Sequence, residues 1–257
     1  MAERVDVVIP TFENYEMLKE AVNSCKEQTY PINKIIIVDD GSSEPIKKSL
    51  QLEFKDDASV VVIFAPHSGL PGVARAIGIE NSSADWIAFL DSDDTWDCSK
   101  IKIQLELASR SKAALIYTNA EVFGHKGERG RLLSHLPTKL SFRQLAKSNL
   151  IINSSVLVKR EVFNEALTYA TSLRVRAAED YATWLRIKTN YKFAGVNLPL
   201  TNYRISETSI RKENEYDPRI YALADFIMWS LSKNSRSFFK HRLLRKIVFK
   251  EMRRSYE

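Results

Sequence analysis

Short apolar runs alternate with segments of helical spacing through the first half of the chain. The run KIIIV at 34–38 is apolar on both faces, as a buried parallel strand should be. The alternating order predicts an α/β fold, with a Rossmann-like, mostly parallel sheet and helices on both of its faces. The pattern predicts strands at 5–9, 34–38, 60–64 and 86–90, and helices over 17–25, over 74–80 and from Ser99 onward.

The second half has a mixed pattern. It contains no internal repeat and no low-complexity linker, so we do not expect two independent domains. We expect one α/β domain over 1–215 and a helical, basic C-terminal extension over 216–257, with a candidate break near Asn234. The pattern predicts strands at 114–123, 151–158 and 193–196, a polar turn or mobile loop at 124–130, and helices from Ser141 and over 179–189.

The composition is that of a soluble globular protein. Of 257 residues, 44% are hydrophobic and 27% charged, which excludes a disordered or fibrous chain. No run approaches the roughly 18–20 apolar residues of a membrane span, and the first residues enter a strand-like run at once, so we expect no signal peptide. The two cysteines, Cys25 and Cys98, form no CxxC pair. We therefore expect no structural zinc and a cytoplasmic, reducing environment.

Positive charge is concentrated at the C-terminus. Residues 233–257 contain nine Lys or Arg and two acidic residues, whereas the rest of the chain is close to neutral. A nucleic-acid-binding protein usually spreads its basic face over the fold, so we expect no nucleic-acid partner. The segment can be a docked helix with a solvated basic face, or a helix at an anionic membrane surface. The pattern does not choose between them, and it leaves peripheral association with the inner face of the membrane open.

Two acidic clusters follow predicted strands, DDGS at 39–42 and DSDD at 91–94. In an open parallel sheet these positions share the edge where ligands bind. Ordinary turns explain DDGS equally well. Three carboxylates within DSDD repel one another, and a cation relieves that repulsion. Since Mg²⁺ and Mn²⁺ bridge carboxylates to phosphates, DSDD predicts a diphosphate–metal site.

Glycine-rich phosphate loops are absent from the sequence. Neither GxGxxG after the first strand nor GxxxxGK[ST] anywhere is present, which disfavours a dinucleotide-dependent dehydrogenase and a P-loop NTPase. A phosphate group would have to be held mainly by a metal ion, with Arg75 as a candidate side chain.

These stretches together resemble the inverting family 2 glycosyltransferases, which have the GT-A fold. The resemblance covers about residues 4–205. It implies transfer of a sugar from a nucleotide diphosphate donor, usually a UDP-sugar, with Mn²⁺ or Mg²⁺ as cofactor. The matching stretches are VVIPTFEN at 7–14, IIIVDDGSS at 35–43, GLPGVARAIGIENSSADWIAFLDSDD at 69–94 and AAEDYATWLRI at 177–187.

The resemblance implies a set of donor-binding residues. Thr11 and Asp40 would contact the nucleoside, with Asp40 facing the uracil edge. Glu13 would lie near the ribose, and Arg75 would face the nucleotide or its diphosphate. His67, in a loop after the third strand, could approach the donor, although a solvated loop histidine is the simpler interpretation.

The resemblance also implies the metal site and the base. Asp91 and Asp93 would form the family's Asp-x-Asp, with Asp93 facing the ribose or the metal and Asp94 as a metal ligand. Asp180 would be the catalytic base, deprotonating the acceptor hydroxyl as it attacks the anomeric carbon. Without the other motifs, Glu179 and Asp180 would be interpreted as acids that complement a helix dipole.

One position departs from the family pattern. Many members have Tyr-Arg-x-His, whose histidine can reach the metal, where this chain has YRIS at 203–206. The QxxRW motif of processive members is also absent, so we expect one sugar per acceptor.

The sequence therefore predicts a metal-dependent inverting hexosyltransferase. It would move a hexose or N-acetylhexosamine to a glycan or polyprenyl-diphosphate-linked acceptor in O-antigen or capsule-like biosynthesis. Two alternatives stay open. One is a nucleotidyltransferase, although PTFENYE after the first strand has neither the glycine nor the lysine of that class. The other is a non-catalytic membrane-surface or nucleic-acid-binding module that uses the basic tail.

Overall fold

The computed structural model describes residues 3–124, 129–163, 178–205, 218–231 and 244–250. Its first half alternates strands and helices, as the sequence predicts. Helix α2 was not among the predicted elements. The elements are β1 (Val5–Thr11), α1 (Tyr15–Lys26), β2 (Lys34–Asp39), α2 (Glu44–Phe54), β3 (Val60–Phe64), α3 (Pro71–Glu80) and β4 (Trp86–Phe89).

After β4, the described residues add five strands, of which β6 and β9 are the longest in the sheet, and four more helices. A 3-10 turn, Asn153–Ser155, precedes β8, another, Arg160–Phe163, follows it, and a further helical segment covers 244–250. The elements are β5 (Thr95–Trp96), α4 (Lys100–Ser111), β6 (Leu115–Gly124), β7 (Arg129–Arg131), α5 (Phe142–Lys147), β8 (Leu157–Lys159), α6 (Glu179–Lys188), β9 (Phe193–Ile205) and α7 (Pro218–Leu231).

The nine strands found among the described residues belong to one sheet. The order is β3-β2-β1-β4-β8-β6-β9-β5, with β7 paired to β6 outside this path. Strand β1 runs parallel to β2 and β4, and β6 runs parallel to β9. Strand β8 is antiparallel to both of its neighbours. The predicted α/β fold with a mostly parallel sheet is confirmed.

The two faces of the sheet carry separate apolar clusters. Because successive side chains of a strand point to opposite faces, Val8 joins one cluster while Val7 and Ile9 join the other. Helices α3, α5, α6 and α7 cover the face that carries Val8. Helices α1, α2 and α4 cover the face that carries Val7 and Ile9. Helix α3 lies so close to β1 that a Cβ added at Gly78 would be 2.3 Å from the Val8 Cγ1 atom.

Two predicted strands have different bounds in the structure. The strand predicted at 151–158 is β8 alone, because Asn153, Ser154 and Ser155 form the 3-10 turn. Side chains of Asn and Ser compete for backbone and neighbouring partners, which favours such a turn. The strand predicted at 193–196 continues to Ile205, because register shifts against β6 accommodate Pro199 within the ladder.

Other predictions fall partly on residues that are not described. In the segment predicted as a polar loop, residue 124 ends β6 and 129–130 begin β7, while 125–128 lie outside the described residues. The candidate break near Asn234 also lies outside them.

Helix α7 shares the core of the α/β domain. Its Leu223 and Phe226 are fully buried in the same cluster as Trp184 of α6. Arg186 of α6 and Asp225 of α7 form a largely buried salt bridge of 2.5 Å. The division of the chain at 215/216 stays a prediction. None of the described helices is long and apolar enough to cross a bilayer.

The two cysteines differ in environment. Cys25 is buried on α1, and burial raises the pKa of its thiol. Cys98 is exposed just before α4, and its backbone carbonyl accepts a hydrogen bond from the Thr29 N–H. Both thiols are free.

Candidate active site

The ends of β1, β2 and β4 bring the predicted donor-binding residues to one edge of the sheet. Thr11 and Asp39 are paired in the β1–β2 register, and the Asp40 N–H donates to the Thr11 carbonyl at 2.8 Å. Asp91 follows β4, which pairs with β1 on its other side. The sequence expectation that the two acidic clusters share an edge therefore agrees with the strand order.

The Asp40 carboxylate is fixed by the loop after β3. It accepts hydrogen bonds from the Ser68 N–H and hydroxyl, each at 2.8 Å, and from the Gly69 N–H at 2.9 Å. Gly41 has φ +77°, and a Cβ there would lie 2.6 Å from the His67 backbone nitrogen. Glycine is required at this turn for both reasons.

An exposed aromatic pair lies beside Asp40. The rings of Phe12 and His67 stack with centroids 4.4 Å apart, and the His67 Nδ1 atom lies 2.7 Å from the Asp40 carbonyl oxygen. His67 is half-exposed, but it is held by these contacts rather than freely solvated. The pair presents a flat aromatic surface of the kind on which a planar base can stack.

Glu13 connects the loops that follow β1 and β2. Its carboxylate accepts hydrogen bonds from the Ser43 N–H and, at 3.1 Å, from the Ser43 hydroxyl. Its own N–H donates to the Ser42 hydroxyl at 2.8 Å, and its φ is +50°. The exposed Glu13 therefore shapes the rim of this corner.

The acidic loop at 91–94 contains three carboxylates in different settings. Asp94 is buried, and its two oxygens accept hydrogen bonds from the Ser154 hydroxyl at 2.5 Å and the Arg204 N–H at 2.8 Å. Burial, followed by the charges of Asp91 and Asp93, raises the pKa of Asp94 well above its ordinary value. Such a carboxylate is costly to ionise unless a cation compensates it.

Asp93 is the most available of the three acids. Its side chain is half-buried, and no other residue in the described part of the chain donates a hydrogen bond to its carboxylate. Burial, then the charge of Asp91, raises the pKa of Asp93 to about 6. These properties fit a ligand for a hard divalent cation, which would stabilise the ionised form.

The described residues do not form a complete metal cage. Among them, no group of three or more His, Cys, Asp or Glu side chains is arranged to hold a metal ion. Mg²⁺ and Mn²⁺ are commonly held by one or two carboxylates together with substrate phosphates and water, so Asp93 and Asp94 fit that mode. Ser206, at the position of the family's histidine, lies outside the described residues.

Arg75 joins the acidic loop to α6. It is buried, and its two terminal nitrogens contact Asp91 Oδ1 at 2.6 Å and Glu179 Oε1 at 2.8 Å. In this conformation the guanidinium lies between two carboxylates. Its contact with the nucleotide or its diphosphate stays a prediction.

Asp180 lies in the first turn of α6, next to Glu179. Its carboxylate accepts a hydrogen bond from the Tyr181 N–H at 2.6 Å, and the Asn149 Nδ2 atom lies 3.5 Å from its second oxygen. Burial and then the charge of Glu179 raise the pKa of Asp180 to about 7, against the opposing effect of Arg75. A carboxylate with this pKa is suited to accept a proton near neutral pH.

A comparison with protein-family models identifies the chain. The model named Glycosyl transferase family 2 matches residues 6–167, which is more than half of the sequence. The chain belongs to glycosyl transferase family 2. Membership favours a glycosyltransferase over a nucleotidyltransferase and over a non-catalytic binding module.

Curated relatives of this glycosyltransferase are bacterial. The candidate teichuronic acid biosynthesis glycosyltransferase TuaG of Bacillus subtilis is 28% identical over 80% of this chain and 81% of its own. The Escherichia coli enzyme named UDP-Glc:alpha-D-GlcNAc-diphosphoundecaprenol beta-1,3-glucosyltransferase WfgD is 26% identical over 87% and 86%. The amylovoran biosynthesis glycosyltransferase AmsB of Erwinia amylovora is 26% identical over 77% and 69%.

Solved structures show the same fold. Residues 1–349 of S. aureus TarS, crystallised with UDP-GlcNAc, superimpose on 95% of this chain with a TM-score of 0.74 at 14% identity. The match covers 71% of that TarS chain, and 43% of a longer TarS chain with a TM-score of 0.71. The GT-A fold of this glycosyltransferase is therefore confirmed.

Three residues of the site were missed by the sequence interpretation of this glycosyltransferase. Asn153 and Ser154 donate hydrogen bonds to Asp91 and Asp94, and the Arg204 side chain donates to the Asp93 carbonyl at 2.8 Å. Two features of the sequence could have pointed to these three residues. Polar residues interrupted the apolar run at 151–158, and Arg204 belongs to the YRIS stretch that was noted for its missing histidine.

Proposed function

We propose that the protein is a metal-dependent, inverting hexosyltransferase of surface polysaccharide biosynthesis. It would move one hexose or N-acetylhexosamine from a UDP-sugar to a glycan or a lipid-diphosphate-linked acceptor. The observation that carries the proposal is the position of Asp40, the acidic loop at 91–94 and Asp180 around one edge of the sheet. The donor and acceptor in the name of WfgD, and the UDP-GlcNAc bound to TarS, support these substrate classes.

Asp180 would accept the proton of the acceptor hydroxyl. As that hydroxyl oxygen bonds to the anomeric carbon, the bond from this carbon to the diphosphate oxygen breaks and UDP leaves. Attack from the side opposite the diphosphate inverts the anomeric configuration. The raised pKa of Asp180 makes it a stronger proton acceptor than an exposed aspartate.

Asp93 and Asp94 would hold a divalent cation. When bound, Mn²⁺ or Mg²⁺ neutralises the charge that develops on the leaving diphosphate. On the protein side, the hydrogen bonds of Asp94 fix the loop, while the Asp93 carboxylate is open to a ligand. Asp40 and the Phe12–His67 stack would receive the nucleoside.

Calorimetry with a panel of nucleotide sugars, with and without Mn²⁺, tests the donor and the metal together. We expect a UDP-sugar to bind in a Mn²⁺-dependent way, and Asp94→Ala to lose the metal-dependent part of the affinity. Binding that is equal in Mn²⁺ and in EDTA would contradict the metal site. Binding of a non-uridine nucleotide sugar alone would contradict the donor.

Replacement of the base tests the mechanism. Asp180→Asn should keep donor affinity and lose transfer by about two to four orders of magnitude, because an asparagine side chain cannot accept the proton of the acceptor hydroxyl. Asp85→Asn is the matched control, since Asp85 lies before β4 at the far edge of the sheet, beside Arg4. Transfer by Asp180→Asn at the wild-type rate would show that another group is the base.

The basic tail would bring the enzyme to a lipid-linked acceptor at the inner face of the membrane. Val248 of the described helical segment 244–250 is buried in the core, so this part of the tail is docked. Lys246, Phe249 and Lys250 are exposed on the same segment and form a basic, partly apolar surface. Such a surface favours contact with anionic lipid.

Liposome binding tests this surface. Deletion of 236–257 should weaken binding to anionic liposomes more than it weakens donor binding. Because deletion also removes Val248 from the core, the sharper variant is Lys246→Glu with Lys250→Glu, which leaves Val248 in place. Unchanged liposome binding by both variants would exclude a membrane role for the tail.

A further inference from the structure

The 3-10 turn Asn153–Ser155 supports the acidic loop from a distant part of the chain. Resting on the proposed function, we propose that Asn153 and Ser154 are positioning residues for the donor–metal site. They would hold Asp91 and Asp94 so that Asp93 is presented to the cation and the diphosphate. Neither residue would contact the reacting atoms.

Three hydrogen bonds join the turn to the loop. The Asn153 side-chain amide donates to Asp91 Oδ1 at 3.0 Å, and the Ser154 hydroxyl donates to Asp94 Oδ2 at 2.5 Å. The same hydroxyl accepts a hydrogen bond from the Asp91 N–H at 3.1 Å. Ser154 therefore contacts the backbone at the start of the loop and the carboxylate at its end. Asp93, between these two positions, receives no hydrogen bond from the turn.

Burial makes these contacts specific. Asn153 is 5% exposed and Ser154 is 1% exposed, so water cannot readily replace either donor. The Ser154 carbonyl in turn accepts a hydrogen bond from the Trp96 indole at 2.7 Å, and the Lys100 ammonium lies 4.0 Å from the centre of that ring. Trp96 therefore fixes the backbone of the turn, while the side chains of Asn153 and Ser154 contact the acidic loop. Buried hydrogen bonds to a charged group are among the stronger ones in proteins.

Ser155 provides a matched control within the same turn. It is fully buried like Ser154, and its hydroxyl donates to the Ile152 carbonyl at 2.8 Å, away from the acidic loop. Ser154→Ala and Ser155→Ala each remove one buried hydroxyl and one donated hydrogen bond. A general effect on packing would appear in both variants, whereas a positioning effect would appear in Ser154→Ala alone.

UDP binding by calorimetry, with Mn²⁺ and with EDTA, is the first readout. We expect Ser154→Ala to weaken Mn²⁺-dependent UDP binding by about 10- to 100-fold, the effect usual for a residue that orients a metal ligand. UDP affinity in EDTA should be unchanged, and Ser155→Ala should match the wild type in both conditions. Equal losses in the two variants, or no loss in a folded Ser154→Ala, would overturn the proposal.

Amide hydrogen exchange without any ligand is the second readout. Ser154→Ala should accelerate exchange at Asp91 and Arg204, whose N–H groups donate to the Ser154 hydroxyl and to Asp94. Ser155→Ala should leave both amides protected. If wild-type protein bound no UDP with Mn²⁺ but these amides responded as expected, the proposed function would fail, and only the support of the acidic loop by the turn would remain. Unchanged exchange in Ser154→Ala would refute that role.

Discussion

Protonation of Asp180 should set the acidic limb of the pH–rate profile. Burial and the charge of Glu179 raise the pKa of Asp180 to about 7, so the group accepts protons in the physiological range. A base with this pKa is about half deprotonated at pH 7 and about one tenth deprotonated at pH 6. Transfer should therefore fall as the pH drops through 7, and it should be near its plateau about one unit above.

Glu179→Gln is the perturbation that tests this account. It removes the negative charge beside Asp180 but keeps the shape of the side chain, so the pKa of Asp180 should fall. Neighbouring carboxylates lie roughly 5 to 8 Å apart, and at an effective dielectric constant of about 20 they interact by about 2 to 3 kcal/mol. Solvent screening reduces this energy, and about 1.4 kcal/mol corresponds to one pKa unit. The acidic limb should move down by about one pH unit.

The assay is kcat against pH with donor, acceptor and metal all saturating. Under these conditions the limb reports a group in the substrate complex. At pH 6, Glu179→Gln should reach about half of its own plateau, whereas the wild type reaches about one tenth. The comparison is made within each variant, because loss of the contact between Arg75 and Glu179 also lowers the plateau. A limb that stays in place, or that moves to higher pH, would refute the assignment of Asp180 or the role of Glu179.

Two further predictions concern stability. Gly78→Ala should lower the free energy of unfolding by about 1–2 kcal/mol in urea denaturation, because overpacking against Val8 exceeds the gain in helix propensity. In a Val8→Ala background the added methyl group should cost much less, because the overpacking is relieved, and additive effects of the two substitutions would contradict the close approach. Asp225→Asn should cost about 1–3 kcal/mol, because it leaves the largely buried Arg186 without its charged partner. We expect Asp225→Asn to unfold in a single transition, in which α7 unfolds together with the α/β domain. A separate early unfolding transition would instead support the division of the chain at 215/216.

The first half of the fold was predictable because β1, β2 and β4 are buried on both faces. Strand β2 is buried from Ile35 onward, and its residues 35–38 appear in the sequence as an uninterrupted apolar run. The length of β9 was not predictable, since Pro199 signals an end to a strand. Here the register shifts between β9 and β6 allow the ladder to continue past it. That compensation lies in another strand, so no local pattern in β9 indicates it.

The candidate site also has a part that the sequence indicates and a part that it does not. The acidic loop at 91–94 was indicated by three carboxylates at a strand end, whereas the roles of Asp40 and Asp180 came from the resemblance to the family. The contacts that organise them are not local. Arg75 and Glu179 are 104 positions apart, and Ser154 and Asp94 are 60 apart. Such pairs follow from strand order, which brings β8 beside β4, and not from any spacing along the chain.

The different environments of the two cysteines make the protein suitable for site-selective labelling. The chain contains no other thiol, and Cys25 is buried and held protonated, so a maleimide dye should react with Cys98 in the folded state. Cys98 lies two positions beyond Trp96, whose indole contacts the turn beneath the acidic loop. A single dye there would report on donor-site rearrangements by fluorescence, in the wild-type protein and without an engineered cysteine.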